Sequence, residues 1–274
     1  MSSSKNEGHV RDAGEAYRRH WTVNSAKQDT QEAISQRKDQ AEEIGNTYYD
    51  LATLNYEYGW GRKFHFAPFQ KGESIDAALA REEHFMALNL GLEPGMKVLD
   101  IGCGIGEPAR SIARFAEVHV TGISTNRGHI ARARKLTKEA RMEGRVEFLL
   151  GDFCVSDSFT GEAQKMPFPD NSFDAVYAIE STCYAADLED PFSEVRRVLK
   201  PGGKFGDYEF IMTEKYEKDN STHEDVKFRI QRGTGCYTLR TPSDVSKALT
   251  TVGLEIVRSK DTCVVSDNNP VPWW

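Results

Sequence analysis

The run Lys97-Val-Leu-Asp-Ile-Gly-Cys-Gly-Ile-Gly106 joins a short apolar segment to three glycines at alternate positions. Its first five residues have the length and composition of a buried parallel strand. Pro108, two residues beyond the last glycine, favours the first turn of a helix over 108–115. The run therefore predicts a strand, a tight turn and a helix, an arrangement that binds ligands at the carboxyl edge of an open parallel sheet.

The alternation of strand and helix extends in both directions from this run. Further strands are predicted at 118–123, 146–150, 173–179, 204–212 and 254–258. Further helices are predicted at 75–90, 127–141, 191–199 and 241–252. Because strands that alternate with helices form parallel βαβ units, we predict an α/β fold with a doubly wound, mostly parallel, Rossmann-like sheet.

The spacing of the glycines distinguishes between two classes of nucleotide ligand. A dinucleotide fingerprint needs glycine at its sixth place, which is Glu107 here, and that carboxylate would face a pyrophosphate. The form GxGxG after Asp100 instead fits S-adenosylmethionine (SAM). Asp100 would accept from the amino group of the methionine part, and the helix N-terminus would receive its carboxylate. The other residues assigned to this site are Gly102, Cys103, Gly104 and Gly106. The alternative is a glycine turn that only packs a strand against a helix.

Two further strand ends supply candidates for the adenosine part of SAM. After the second strand come Ser124, Thr125 and Asn126, where nucleotide folds often place an acid for the ribose hydroxyls. These neutral side chains would bind the ribose, cap the helix that follows, or do both. After the third strand, Asp152 and Phe153 offer a carboxylate for the adenine amino group and a ring for its face. An Asp at such a position is also a common turn former.

The charge balance and the cysteines exclude several classes of partner. With 35 basic and 42 acidic side chains the net charge is −7, and no basic stripe could neutralise a nucleic-acid backbone. No apolar run approaches the ~20 residues of a membrane-spanning helix, and the first residues lack a signal-peptide core. The five cysteines lack CxxC spacing, which predicts reduced thiols and no metal site. We expect a cytoplasmic protein, for which peripheral membrane contact and homo-oligomerisation both stay open.

Three regions differ in composition. Residues 1–45 are polar with few large apolar side chains, which predicts a mobile or loosely helical arm. Residues 46–95 begin with a dense set of aromatic side chains and predict a lid or substrate-binding segment. Residues 96–274 hold the predicted sheet and the SAM site.

The chain resembles the sterol C24-methyltransferases over residues 46–273. The most specific motif is the aromatic run Tyr56-Glu-Tyr-Gly-Trp-Gly-Arg-Lys-Phe-His-Phe66, followed by Lys71-Gly-Glu-Ser74. Further matches are Asp100-Ile-Gly-Cys-Gly-Ile-Gly106, Ala109-Arg-Ser-Ile-Ala-Arg-Phe115, Gly151-Asp-Phe153, Phe173-Asp-Ala-Val-Tyr-Ala-Ile-Glu-Ser-Thr-Cys183 and Val198-Leu-Lys-Pro-Gly-Gly203. The resemblance implies a class I methyltransferase fold and methyl transfer from SAM to an alkene carbon of a sterol, triterpenoid or related isoprenoid. A peripheral location at the endoplasmic reticulum or lipid droplets is compatible with such a substrate.

The implied chemistry gives roles to aromatic and acidic residues. Methylating an alkene creates positive charge, which aromatic faces stabilise while they exclude water. The substrate-binding candidates are Tyr56, Tyr58, Trp60, Phe64, Phe66 and Tyr184. Glu180 is the leading candidate for the base that removes a proton, and it is also assigned to the cofactor site. The other catalytic candidates are His65, Glu209 and Tyr58. A structural role is the alternative for each: core packing for the rings, and hydrogen bonding for Glu180 and His65.

The chain departs from the family pattern near the predicted site. Glu107 and Tyr184-Ala-Ala186 stand where the family has Gly and His-Ala-Pro, Arg62-Lys63 adds charge, and residues 156–165 lengthen a loop. The family also continues beyond the end of this chain. Two other functions therefore stay open. One is a methyltransferase fold that holds SAM only to orient a substrate for isomerisation or cyclisation, and the other is a non-catalytic partner of a full-length methyltransferase.

Overall fold

Five parallel strands form the centre of the computed structural model, which describes residues 12–154 and 165–263. Their bounds are β1 Lys97–Ile101, β2 His119–Ser124, β3 Val146–Leu150, β4 Phe173–Ile179 and β5 Leu199–Tyr208. The order across the sheet is β3-β2-β1-β4-β5, so β1 pairs with both β2 and β4. Because the strand order reverses at β1, a crevice forms beyond the carboxyl end of this strand. The doubly wound parallel sheet predicted from the sequence is confirmed.

Helices cover both faces of the sheet. A helix at 12–19 is α1, and the others are α2 Gln31–Asp39, α3 Ala41–Gly59, α4 Ile75–Leu90, α5 Glu107–Ala116, α6 Arg127–Glu139, α7 Glu189–Val198, α8 Ser221–Thr234 and α9 Pro242–Thr251. Successive residues of β1 point to opposite layers. Val98 packs in a cluster with Ile112 of α5, and Leu99 packs in a second cluster with Phe192 of α7. All four side chains are fully buried, so both faces of the sheet are core.

Local capping residues fix several helix ends. The Ser74 side chain accepts a hydrogen bond from the Ala77 N–H at the start of α4, and Gly91 ends this helix with a left-handed φ of 67°. At α9, the side chains of Thr241 and Asp244 form a reciprocal capping box. The predicted bounds of α4 are confirmed, because Ser74 and Gly91 directly flank the helix in the sequence.

The predicted strand at 254–258 is wrong, because this segment is irregular and pairs with no described strand. Val257 is 89% exposed. Arg258 donates a hydrogen bond from Nη1 to Asn89 Oδ1 at 2.6 Å and lies over the ring of Phe85, both on α4. The segment therefore crosses the surface of α4. Strand β5 also starts at Leu199 rather than 204, so the predicted Pro-Gly-Gly turn lies within the strand. The pairing of β4 with β5 is irregular at this point, between Phe173 and Ala175.

Residues 12–45, expected to be mobile or loosely helical, form helices that pack on the rest of the protein. Trp21 is 4% exposed, and its ring meets Phe228 of α8 edge-on at 5.7 Å between centroids. Ile44 of α3 is fully buried in the same cluster. The lengthened loop expected at 156–165 lies, apart from Lys165, outside the described residues. No helix in the described ranges has the length and apolar composition needed to cross a bilayer.

Candidate functional site

The glycine loop between β1 and α5 serves both packing and ligand access. A Cβ at Gly102 would lie 2.2 Å from Ser181 Cβ, and a Cβ at Gly106 would lie 2.2 Å from Phe148 Cζ. Both glycines also have left-handed φ angles, which other residues adopt at a cost. A Cβ at Gly104 would meet nothing within 4 Å. Gly102 and Gly106 are therefore fixed by close packing, whereas the backbone at Gly104 is accessible to a ligand.

Asp100 lies buried beneath this loop. It is 3% exposed, and the Tyr177 hydroxyl donates to its Oδ2 at 3.0 Å. Burial raises the pKa of Asp100 to about 7, although the Tyr177 hydrogen bond acts in the opposite direction. The N-cap residue of α5 is Gly106, which has no side chain to cap the helix, so the first N–H groups of α5 can receive a carboxylate. These features fit the methionine part of SAM.

Glu107, where the family pattern has glycine, begins helix α5. Its Oε2 accepts a hydrogen bond at 2.7 Å from Nη2 of Arg110, a side chain that is 1% exposed. The guanidinium therefore neutralises the additional carboxylate next to the loop.

The three polar residues at the end of β2 lie close to α3, with Ser124 as the last residue of the strand. Ser124 Oγ accepts from the Asn126 N–H at 3.3 Å, and the Thr125 hydroxyl donates to Asn46 Oδ1 at 3.2 Å. Asn126 caps α6 through Oδ1 and donates from Nδ2 to Asp50 Oδ1 at 3.1 Å. Asn126 therefore does cap a helix, and Thr125 and Asn126 also bind α3, a helix that was not predicted.

Asp152 and Phe153 follow β3, the edge strand that lies next to β2. The Asp152 carboxylate accepts from the Cys154 N–H at 2.8 Å, which is a turn-forming bond. Burial raises its pKa to about 6. Phe153 is 8% exposed, and its Cε1 would lie 3.5 Å from a Cβ at Gly102. Phe153 therefore belongs to the wall of the glycine loop. Cys103 is buried in the same loop, with its Sγ directed at the Gly104 carbonyl.

An open aromatic cavity lies beyond the end of β4. Five of the six substrate-binding candidates line it: Tyr56, Trp60, Phe64, Phe66 and Tyr184. Helix α3 adds Tyr48 and Tyr49, which were not predicted. Tyr58 lies elsewhere, since it is 95% exposed and does not line the cavity. Tyr184 is held by hydrogen bonds that join its hydroxyl to the Tyr49 hydroxyl at 3.0 Å and to the Thr234 carbonyl at 2.9 Å.

Glu180 is an acidic group in the cavity wall. It follows β4 with a left-handed φ of 50°, and its Oε1 accepts from the Phe66 N–H at 2.7 Å. Burial raises its pKa well above the ordinary value; the Phe66 bond opposes this effect and the charge of Glu209 adds to it. Glu180 thus connects the sheet to the aromatic segment.

His65 and Lys63 line the same cavity and both bind Glu83 of α4. The His65 Nε2 lies 3.2 Å from Glu83 Oε1, and Lys63 Nζ lies 2.8 Å from Glu83 Oε2. Glu83 is fully buried. Lys63, which stood out as an added charge in the sequence, therefore neutralises an internal carboxylate that no local signal had indicated.

Glu209, the other acidic candidate, does not line the cavity. Its Oε2 accepts from the Cys183 N–H at 2.9 Å and from the Thr182 hydroxyl at 3.1 Å. Burial raises its pKa to about 7, and these hydrogen bonds oppose the rise. Glu209 therefore holds the turn between Glu180 and Tyr184.

The fold agrees with solved structures of methyltransferases and of one cyclase. A family model described as a methyltransferase domain matches residues 99–206. The chain is similar to the (4+2)-cyclase SpnF, with a TM-score of 0.65, 28% identity, and coverage of 80% of this chain and 73% of that one. It is also similar to the geranyl diphosphate C-methyltransferase of Streptomyces coelicolor, with a TM-score of 0.62, 19% identity, and coverage of 77% and 78%.

The sequence relatives identify the family of this chain more specifically than the fold does. A sterol 24-C-methyltransferase of Gibberella zeae is 41% identical over 275 residues, which cover all of this chain and 69% of the relative. The cycloartenol-C-24-methyltransferase of Arabidopsis thaliana is 45% identical over 239 residues, which cover 87% of this chain and 67% of the relative. The chain spans about two thirds of the length of such relatives. With its glycine loop and its aromatic cavity, the chain belongs to the sterol 24-C-methyltransferase family.

Proposed function

We propose that this chain transfers the methyl group of SAM to an alkene carbon of a sterol or related isoprenoid. The observation that carries the proposal is the contact between the two parts of the site. Glu180 lines the aromatic cavity, and the next residue, Ser181, lies directly against Gly102 of the glycine loop. The donor side and the acceptor side therefore meet at the end of β4. Family membership and the methyltransferase domain support this reading.

Bound SAM supplies an electrophilic methyl group on a sulfonium. Asp100, the backbone around Gly104 and the N-terminus of α5 would hold its methionine part. Residues at the ends of β2 and β3 would hold its adenosine part. The residues assigned to it are Ser124, Thr125, Asn126, Asp152 and Phe153.

The aromatic cavity binds the apolar body of the acceptor. The rings of Tyr56, Trp60, Phe64 and Phe66 exclude water and stabilise positive charge that develops on the alkene. The hydroxyl of Tyr184 is already bound to Tyr49 and Thr234, so this ring presents a fixed surface to the acceptor.

Glu180 removes a proton from the carbocation that methyl transfer leaves, and this step forms the double bond of the product. A buried carboxylate with a raised pKa is a strong base once it is ionised. The Phe66 N–H fixes Oε1, and positive charge on the acceptor favours the ionised carboxylate over the neutral acid. Lys63, His65 and Glu83 hold the aromatic segment in place.

The proposal is tested with SAM that carries a labelled methyl group and with cycloartenol as the acceptor. We expect a labelled product one methylene unit heavier than the acceptor. Glu180→Gln should lower turnover about 100-fold, the scale of general-base loss, while SAM affinity stays the same. Turnover of the unmodified protein should rise with pH as Glu180 ionises, and the variant should lack this rise.

Glu209→Gln is the matched comparison, because Glu209 is also buried but lies outside the cavity lining. A larger loss of turnover for Glu209→Gln than for Glu180→Gln would indicate that Glu209, and not Glu180, is the base. Absence of labelled product across sterol and isoprenoid acceptors would reject the methyl-transfer proposal.

Cyclisation or isomerisation is the second candidate function, and the similarity to the cyclase SpnF favours it as the alternative. In that case the product would have the mass of the substrate, and its formation would still require SAM or S-adenosylhomocysteine. Mass spectrometry of the same reactions separates the two functions.

We also propose that the cavity entrance contacts a membrane from which the sterol is taken. Trp60, Phe66 and Ile75 all line the cavity, and they are 43%, 38% and 47% exposed. Exposed aromatic and aliphatic side chains of this kind partition into the interfacial region of a bilayer.

A further inference from the structure

Helix α3 is joined to the end of β2 and to α6 by four polar pairs. Its contributing residues recur at helical spacing, so they form one face. The pairs are Asn46 with Thr125 at 3.2 Å, Asp50 with Asn126 at 3.1 Å, Thr53 with His129 at 2.8 Å and Glu57 with Arg132 at 2.6 Å. The element that precedes the sheet therefore closes over a strand end where doubly wound folds bind the ribose of a nucleotide.

The polar side chains at the end of β2 and directly after it already make hydrogen bonds. Ser124 Oγ and Asn126 Oδ1 accept backbone N–H groups, and Thr125 donates its hydroxyl to α3. No acidic residue directly follows β2 in the sequence, which reads Thr125-Asn-Arg-Gly128. In space, however, Asp50 supplies a carboxylate at this position. Asn126 binds its Oδ1, and Asp50 is an exposed residue, which leaves the second oxygen accessible.

The same helix also reaches the end of β3. Burial is the main cause of the raised pKa of Asp152, and the negative charge of Glu42 on α3 adds to it. Helix α3 thus lies close to both strand ends that are assigned to adenosine.

We infer that Asp50 is the carboxylate that accepts hydrogen bonds from the ribose hydroxyls of SAM, so that helix α3 completes the nucleoside half of the donor site. A vicinal diol offers two O–H donors, and an ionised carboxylate offers two acceptor oxygens. The inference rests on the proposed function, because it takes the ligand to be SAM or its product.

The test measures discrimination between two ligands by calorimetry. One is S-adenosylhomocysteine, and the other is its 2′,3′-dideoxy analogue, which lacks both ribose hydroxyls. The full chain should bind the dideoxy analogue about 10- to 100-fold more weakly, the range for hydrogen bonds to a charged group. Asp50→Ala should bind the two ligands with nearly equal affinity. A purely structural role for Asp50 would weaken both ligands by the same factor and leave the ratio unchanged.

Two variants accompany Asp50→Ala. Glu57→Gln breaks another pair on the same face of α3, and it should keep the full discrimination ratio. Asp50→Asn keeps the size of the side chain and an acceptor for Asn126 but removes the charge. It should give a ratio between those of the unmodified chain and Asp50→Ala, and it keeps the test valid if the alanine variant does not fold.

Two results would overturn the inference in different ways. If Asp50→Ala or Asp50→Asn retains the full discrimination ratio, Asp50 does not bind the ribose and the proposed function is unaffected. If the unmodified chain binds neither ligand, the proposed function itself fails.

Discussion

Asp100 lies in β1 and Glu180 follows the adjacent strand β4, and neutral donors bind both carboxyl groups. The Tyr177 hydroxyl binds Asp100, and the Phe66 N–H binds Glu180. Both residues were singled out from the sequence. Their environments were not, since the two donors come from other segments. Burial raises the pKa of each carboxyl group, so the site holds acids whose charged forms are costly until a cationic ligand arrives.

Asp100→Asn should make stability less sensitive to pH. Burial raises the pKa of Asp100 to about 7 in the folded protein, above its pKa in the unfolded chain. Between these two pKa values the unfolded chain loses the proton more readily, so the folded state becomes less stable as the pH rises. We therefore compare the stability of Asp100→Asn with that of the unmodified protein at each pH. From pH 4.5 to pH 8 this difference should shift in favour of Asp100→Asn by about 2–4 kcal/mol, which appears as a rise in its relative melting temperature. Thermal unfolding at several pH values measures this difference. The exposed Asp219→Asn is the control, and a difference for Asp100→Asn that does not vary with pH would contradict the prediction.

At the level of elements, prediction succeeded where the signals were local. The bounds of α4, β1, β3 and β4 were matched, because caps, glycines and apolar runs lie within each element. Helices α3 and α8 were missed, since Ile44 of α3 and Phe228 of α8 become core only where they meet Trp21 of the N-terminal segment. In the candidate site, most residues named from motifs lie at the glycine loop or in the cavity wall, and their roles stay predictions. Asp50 and Glu83 were not named, because their contacts are with residues in other segments of the chain.

The aromatic segment is attached to α4 by the buried carboxylate of Glu83. Burial raises the pKa of Glu83, but the hydrogen bond from His65 and the charge of Lys63 lower it by more. The contribution of these contacts to stability is therefore complete at neutral pH and is lost as the pH falls through the lowered pKa.

Lys63→Met should lower the free energy of unfolding by about 3–5 kcal/mol at pH 7, because it leaves a fully buried carboxylate without its lysine counter-charge. The double variant Lys63→Met/Glu83→Gln removes both charges and should recover most of that loss. Urea unfolding of the two variants measures the effect. Equal stability of the single and double variants would mean that the ion pair does not hold the segment.

At the scale of the whole molecule, the cavity is assembled from distant parts of the chain. Helix α3, the start of α4, the end of β4 and the last turn of α8 all contribute side chains to its wall. The exposed apolar residues at its entrance therefore depend on the complete fold, and a membrane would meet them as one surface.

Ile75→Glu should reduce flotation with sterol-containing vesicles several-fold. Ile75 is the first residue of α4, where a negative charge favours the helix, so the fold should be retained. Leu88→Glu is the matched control, because Leu88 is 68% exposed on the same helix but does not line the cavity. Equal flotation of the two variants would exclude the cavity entrance as the membrane contact.

The pairing of α3 with β2 and α6 also bears on how the chain is synthesised. Its four polar partners lie 75 to 79 residues further along the chain. At ribosomal rates of about 5–20 residues per second, this tyrosine-rich helix emerges roughly 4 to 16 seconds before the surface that will cover it. During that interval the polar side chains of its paired face remain in water, without the partners that bind them in the folded chain.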